Sequence, residues 1–240
     1  MYIVDRGQRS HFEALRVILS KIGRDDLAEK IEHVPYGRVK GLSTRMGRTE
    51  IVSEIIDRGK ELALQFMKES KTIKVPPEKA GEVAHHLSLS TVIFNDLKRA
   101  KSAEYEFSFQ NAFDLNHNNA LSLQVRHSRL CSIEENNLEL LPLLDECASI
   151  PEETPDFAKL SNHLCRFPEV ILSTTEKAEP CQLVVYLIEL SHHIGRVIHQ
   201  AKVKGQPVDV AVPRLLLLSA SKAVLHEGIC LLGAVPVVAM

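Results

Sequence analysis

The residues best suited to chemistry stand in one short segment near the N-terminus. Its letters, from position 33 to 47, are HVPYGRVKGLSTRMG, with three glycines, a serine–threonine pair and three bases but no acid. Glycines let backbone N–H groups approach an oxyanion, hydroxyls donate hydrogen bonds, and an arginine fork can hold phosphate. Ser43, Thr44 and Arg45 are therefore candidate ligands for a nucleotide phosphate. The pattern alone leaves an ordinary basic surface loop open as the alternative.

The residues before this segment predict the elements that position it. Tyr2–Val4 is a short apolar strand candidate, and the apolar spacing of 11–22 predicts a helix. Residues 31–39 form a second strand candidate, which Pro35 and Gly37 make irregular. The first strand and the helix form a strand–turn–helix unit, which is half of a βαβ, and residues 31–39 would supply its next strand.

The rest of the chain has helical spacing, and from about residue 85 it predicts an all-helical bundle. Prolines and glycines divide this part, and Pro77 is expected to open a helix in its first turn. The predicted helices span 51–68, 77–97, 121–135, 138–147, 155–167, 181–201 and 213–232.

Composition excludes some classes of protein. No run of 18 or more apolar residues occurs, so no membrane partner is expected. The five cysteines form no C-x-x-C pair, so no metal site is expected. The net charge of −2 argues weakly against nucleic acid, but residues 33–49 carry four bases and no acid.

The segment at 33–47 resembles the arginyl-tRNA synthetase form of the class I synthetase signature loop. That family reads H-V-x-F/Y-G-x-V-x-G-M-S-T-R-x-G, and here Leu42 replaces the usual methionine. The resemblance implies ATP with Mg²⁺, and catalytic roles at its phosphates for Ser43, Thr44 and Arg45. The residues that it implies beside the bound ATP are Gly37, Val39 and Gly41.

The N-terminal residues 2–12 are similar to the strand and turn that precede this loop in the family. The resemblance implies that Gln8 faces the arginine or adenylate pocket. The alternative is that Gln8 caps the following helix. Ala14 stands where the family commonly has glutamine.

Residues 123–133 resemble the opening helix of the family's anticodon-binding domain, Y-T/A-H-A-R-x-x-S-I. Arg126 and Arg129 lie three apart on one helix face, which could meet tRNA phosphates. A solvated charged face is the alternative. The resemblance continues through Tyr186, in the Y-L-x-x-L helix, to the C-terminal tail ending at Met240, and it implies tRNA contacts for both.

A second histidine motif, His192-His193-Ile194-Gly195, is similar to the other class I signature but stands inside an apolar helical segment. The real signature belongs at a strand–helix junction early in the nucleotide-binding fold. We therefore assign the H-I-G letters at 193–195 to structure.

These observations predict a mainly α protein: a partial α/β nucleotide-binding (class I synthetase) remnant followed by an all-helical anticodon-binding bundle. The expected division is a catalytic part at 1–48, a connecting region at 49–100 and an anticodon-binding domain at 101–240. The expected function is that of an arginine–tRNA ligase portion, as a monomer acting on tRNA-Arg, ATP and arginine. The chain alone is expected to be catalytically incomplete. The alternatives are a non-catalytic tRNA-binding module and a helical protein-interaction domain. The expected compartment is the mitochondrial matrix, with the cytoplasm as the alternative.

Overall fold

The computed structural model describes residues 1–40, 51–70, 73, 75–113, 119–147, 149, 151 and 154–240. Helices dominate, so the mainly α prediction is confirmed. No helix in the described ranges is both long and apolar enough to cross a membrane. The strands are β1 (Tyr2–Asp5), β2 (His33–Tyr36), β3 (Val39–Lys40) and β4 (Tyr105–Glu106). The helices are α1 (Arg9–Lys21), α2 (Asp25–Ala28), α3 (Val52–Glu69), α4 (Ala80–Leu97), α5 (Phe109–Ala112), α6 (Ala120–Glu135), α7 (Pro155–Cys165), α8 (Phe167–Lys177), α9 (Cys181–Gln200) and α10 (Val208–Leu231).

The N-terminal part is a βαβ unit, in which the predicted strand and helix are joined by the predicted next strand. Strands β1 and β2 pair in parallel, with α1 and α2 between them in the chain. Phe12 of α1 joins the two strands, because its ring centroid lies 5.1 Å from that of Tyr2 and 4.8 Å from that of His33. The prediction of one strand over 31–39 is wrong in one respect, because β2 ends at Tyr36. The next N–H, that of Gly37, donates to Lys101 O and so does not continue the pairing of β2 with β1.

A helical hairpin, α3 and α4, follows. Its helices approach closely at Gly59, where a Cβ would lie 2.3 Å from Ser88 Oγ. That hydroxyl donates to Ile56 O at 2.7 Å. The prediction that Pro77 opens the second helix is wrong. Lys79 N donates to Pro76 O at 2.9 Å, closing a turn, and α4 begins at Ala80.

The remaining helices form a bundle around one apolar core, to which α6, α7, α9 and α10 each contribute fully buried side chains. A second, smaller apolar cluster lies between α3, α4 and α6 and includes Val237 of the tail. The expected helix at 138–147 is a 3-10 helix over Leu138–Leu143, in which Pro142 lacks an N–H to donate. Helix α8 was not predicted, and α10 begins at Val208, ahead of the expected Pro213.

Candidate functional site

The glycine-rich loop follows strand β3, which is held in place by its neighbour β4. Gly41, Ser43, Thr44 and Arg45 lie at 41–50, outside the described residues. Just before them, β3 pairs in parallel with β4, and we call this pair the loop stem. Two backbone hydrogen bonds support the loop stem. The N–H of residue 105 donates to the carbonyl of residue 38 at 3.3 Å, and the N–H of residue 107 donates to the carbonyl of residue 40 at 2.9 Å. The described structure therefore places the point from which the loop departs.

Two carboxylates form ion pairs with basic side chains at the loop stem. Asp5 accepts from Arg38 at 3.0 Å, and Glu104 accepts from Lys40 at 2.9 Å and from Arg6 at 2.6 Å. The Gly7 N–H and then Arg38 lower the pKa of Asp5, and Lys40 lowers that of Glu104. Because these groups are exposed, the pairs contribute little stability but restrict where the stem can lie.

A cavity of about 740 Å³ opens beside β1 and β2, a size that suits a nucleoside. Gly37, Arg38 and Val39 border it on one side. On another side, Arg99 stacks over the Tyr105 ring at 4.1 Å, and Tyr105 donates to Asp96 Oδ1 at 2.7 Å. The structure thus brings two of the predicted ATP-binding residues to the wall of one cavity.

Gly37 also has a structural reason to be glycine. A Cβ there would lie 2.0 Å from the carbonyl oxygen of Ala103. Gln8 lies at the N-cap of α1, but its side chain makes no capping hydrogen bond. It is exposed, close in sequence to Asp5 and Arg6 of the stem. The capping alternative for Gln8 therefore has no hydrogen bond to support it.

The two predicted tRNA-binding arginines of α6 differ in their surroundings. Arg129 is exposed. Arg126 is half-buried against α9, where Gly195 leaves room for its guanidinium. Gly195 lies inside α9, so the H-I-G letters stand within a helix, as the sequence predicted, and not at a strand–helix junction.

Tyr186 is directed into the bundle and is only 3% exposed. Its hydroxyl donates to His163 O at 3.0 Å, and its ring stacks on the His163 ring with centroids 4.3 Å apart. It also lines a polar cavity of about 340 Å³ with Arg166 and Glu189. A base that contacts Tyr186 would therefore do so through this cavity.

The C-terminal tail is held by two α6 residues that sequence reasoning missed. Gln124 Nε2 donates to Val235 O at 2.9 Å, and its Oε1 accepts from Val237 N at 2.8 Å. His127 Nδ1 lies 2.9 Å from Val237 O, so it must carry the proton that the carbonyl accepts. We call this arrangement the tail clamp. It places Met240 against the smaller apolar cluster between α3, α4 and α6. The sequence offered one signal for this contact, a glutamine and a histidine one helical turn apart in a segment with several leucines.

Buried histidines predict a pH-dependent stability. Burial is the largest cause that lowers the pKa of His127 and of His163. The unfolded chain therefore takes up protons at these histidines more readily than the folded chain does. The free energy of unfolding should be highest above about pH 6.5, the ordinary histidine pKa. It should fall below that pH by up to about 1.4 kcal/mol per pH unit for each histidine. Urea unfolding at several pH values measures this slope. His163→Gln should make the slope shallower, and His85→Gln, at an exposed position, should not. Equal slopes for all three proteins would contradict the assignment.

Comparison with known proteins divides the chain into two matched regions. Residues 1–109 match a family model described as tRNA synthetases class I (R), catalytic domain, and residues 123–240 match one described as DALR anticodon binding domain. The probable mitochondrial arginine–tRNA ligase of Mus musculus is 36% identical over 100% of this chain and 41% of that protein. The mitochondrial arginine–tRNA ligase of Saccharomyces cerevisiae is 30% identical over 99% of this chain and 37% of that protein. Cytoplasmic arginine–tRNA ligases also match.

A solved structure shares the fold. The chain superposes on Thermus thermophilus arginyl-tRNA synthetase with a TM-score of 0.83, at 22% identity, over 99% of this chain and 40% of that one. The chain therefore spans about two fifths of the length of the proteins that it matches.

Proposed function

Because the chain belongs to the class I arginyl-tRNA synthetases, we propose that it forms the C-terminal part of an arginine–tRNA ligase, which attaches arginine to tRNA-Arg with the energy of ATP. The order of the two matched regions carries this proposal, since an interaction bundle has no need of a class I catalytic region before it. The proposed division is a catalytic part at 1–48, a helical connection at 49–100 and an anticodon-binding domain at 101–240.

The N-terminal part would bind ATP. Ser43, Thr44 and Arg45 are proposed to serve its phosphates, from a loop whose stem is fixed by β4 and by Glu104. The position of Val39 on the cavity wall supports adenosine there. The residues proposed to complete the ATP and arginine site are Gln8, Gly37 and Gly41.

The described residues suggest how Mg²⁺ would reach this site. Within the described ranges, no group of three or more His, Cys, Asp or Glu could hold a metal ion. Asp5 and Glu104 already pair with bases. We therefore expect Mg²⁺ to arrive on the ATP phosphates, which are good ligands for it.

The helical part would bind tRNA as a monomer. Arg126 and Arg129 give α6 two positive charges one turn apart, which suits the phosphate backbone. Tyr186, at the polar cavity between α8 and α9, and Met240, at the end of the tail, are the other proposed contacts.

A titration of labelled tRNA-Arg against the purified chain at a stated low salt tests the proposal, beside a non-cognate tRNA. Selective binding of tRNA-Arg is the expected result, because the anticodon-binding region is present. Equal binding of both tRNAs, or none, would contradict it. An arginine-dependent pyrophosphate exchange assay on the same sample separates a complete ligase from a tRNA-binding module. We expect no exchange from this chain alone.

The proposed compartment is the mitochondrial matrix, on the likeness to mitochondrial arginine–tRNA ligases. The cytoplasm is the alternative, because cytoplasmic ligases match the chain over nearly the same length. Fractionation of cells with an antibody to this chain would decide between the two compartments.

A further inference from the structure

Helix α9 has a gap in its surface at Gly195. A Cβ at this position would lie 2.8 Å from Arg126 Nη2 and 3.2 Å from Arg126 Cζ. Glycine inside a helix is less favourable than alanine, so its presence in the interior of α9 needs a reason. The contact supplies one, because only glycine leaves the guanidinium of Arg126 its place. We call this gap the Gly195 notch.

The charge that occupies the notch has no partner among the described residues. The Nε of Arg126 is buried and makes no hydrogen bond. Burial, followed by the charge of Arg129, lowers the pKa of Arg126, and no acid opposes either effect. By contrast, the partly buried Lys101 and Lys222 each meet an acid, Glu179 and Glu134 respectively.

A half-buried cation without an anion is unfavourable, and it stays charged because arginine does not lose its proton in proteins. The missing anion would have to come from outside the described residues. A guanidinium offers only donors, in a fork that fits two oxygens of one phosphate. Arg129, three residues further along α6, adds a second positive charge nearby. These features favour a phosphodiester as the anion.

We propose that Arg126, seated in the Gly195 notch, binds one backbone phosphate of the tRNA. The proposal rests on the proposed function and adds to it a site formed by residues of two helices. The motif quoted for the family has threonine or alanine at the place of Arg126, so that motif does not itself supply this cation. Gly195 acts as a positioning residue, because its missing side chain sets where the guanidinium lies.

A double-mutant cycle with labelled tRNA-Arg and the full chain tests this site. Arg126→Gln should weaken binding roughly tenfold at low salt and reduce the salt dependence by about one ion. Gly195→Ala should also weaken binding, because the methyl group displaces the guanidinium. In the Arg126→Gln background, Gly195→Ala should have no further effect. Arg129→Gln, the matched loss of an exposed charge, should weaken binding less than Arg126→Gln.

A circular dichroism melt of each variant separates binding from folding. The atoms that the new Cβ would meet belong to the end of a flexible side chain, so Gly195→Ala should keep or raise the melting temperature. The proposal is overturned if Gly195→Ala acts equally in both backgrounds, or if Arg126→Gln and Arg129→Gln weaken binding alike.

Inorganic phosphate distinguishes failure of the site from failure of the proposed function. It should raise the melting temperature of the wild-type chain more than that of Arg126→Gln. If tRNA does not bind but this difference appears, the anion site stands and the proposed function fails. If neither tRNA binding nor the phosphate effect depends on Arg126, the site itself is refuted.

Discussion

Replacing Gln124 with leucine is expected to lower the free energy of unfolding by about 3 kcal/mol. Gln124 is 1% exposed, and its side-chain amide accepts from Val237 N and donates to Val235 O and Ser90 Oγ. Leucine fills a similar volume but leaves the buried N–H of residue 237 without a partner. Urea unfolding followed by circular dichroism measures the change.

The matched control is Gln65→Leu on α3. That side chain is exposed, and its amide meets only Glu69 at 2.7 Å within the described chain. This change should alter the free energy of unfolding by less than about 0.5 kcal/mol. Similar losses from the two substitutions would show that the tail clamp contributes no special stability. A large loss from Gln124→Leu should also expose the smaller apolar cluster, because Val237 packs there.

Gly37→Ala should separate the end of β2 from the segment at 101–103. Its Cβ would overlap backbone atoms, at 2.0 Å from Ala103 O and 2.8 Å from Ser102 O, which cannot rotate away. The hydrogen bond from Gly37 N to Lys101 O, 2.8 Å long, would be lost as the segments part. We expect a loss of about 2–3 kcal/mol in stability. Deuterium uptake should rise at residues 33–40 and 101–106.

Gly81→Ala is the control for this steric effect. Beyond its chain neighbours and the backbone of its own helix, no atom of the described residues lies within 4 Å of a Cβ built at Gly81, which stands in the first turn of α4. Alanine there should leave the stability unchanged or raise it slightly. If Gly37→Ala proved equally harmless, the close approach of the two segments would not exist in solution.

The periodic part of the fold was predictable from sequence. Helices α3, α6 and α9 begin and end within one residue of the predicted bounds. In α3 and α9 the reason is a single apolar face that runs through the helix, whereas the buried face of α6 also includes Gln124 and His127. Helices α8 and α10 were misjudged at Pro168 and Pro213, which the sequence suggested as boundaries. Pro168 stands in the first turn of α8, where a helix N–H has no partner to lose.

The candidate site was predictable only where it follows a local motif. The loop stem and α6 could be located from consecutive letters. The tail clamp and the Gly195 notch could not, because each joins residues far apart in the chain. Gln124 meets Val237, and Arg126 meets Gly195, only after the bundle has folded. Glu104 is a similar case, since its partners Arg6 and Lys40 come from the N-terminal part.

The tail clamp also has a consequence for how this protein is made. Gln124 and His127 leave the ribosome well before residues 235 and 237, with which they form hydrogen bonds. Until those later residues have emerged, α6 carries buried polar groups without their partners, and the smaller apolar cluster lacks Val237. A nascent chain stalled before residue 235 would expose that cluster to chaperones and proteases. Closure of the cluster during synthesis therefore has to wait for the tail.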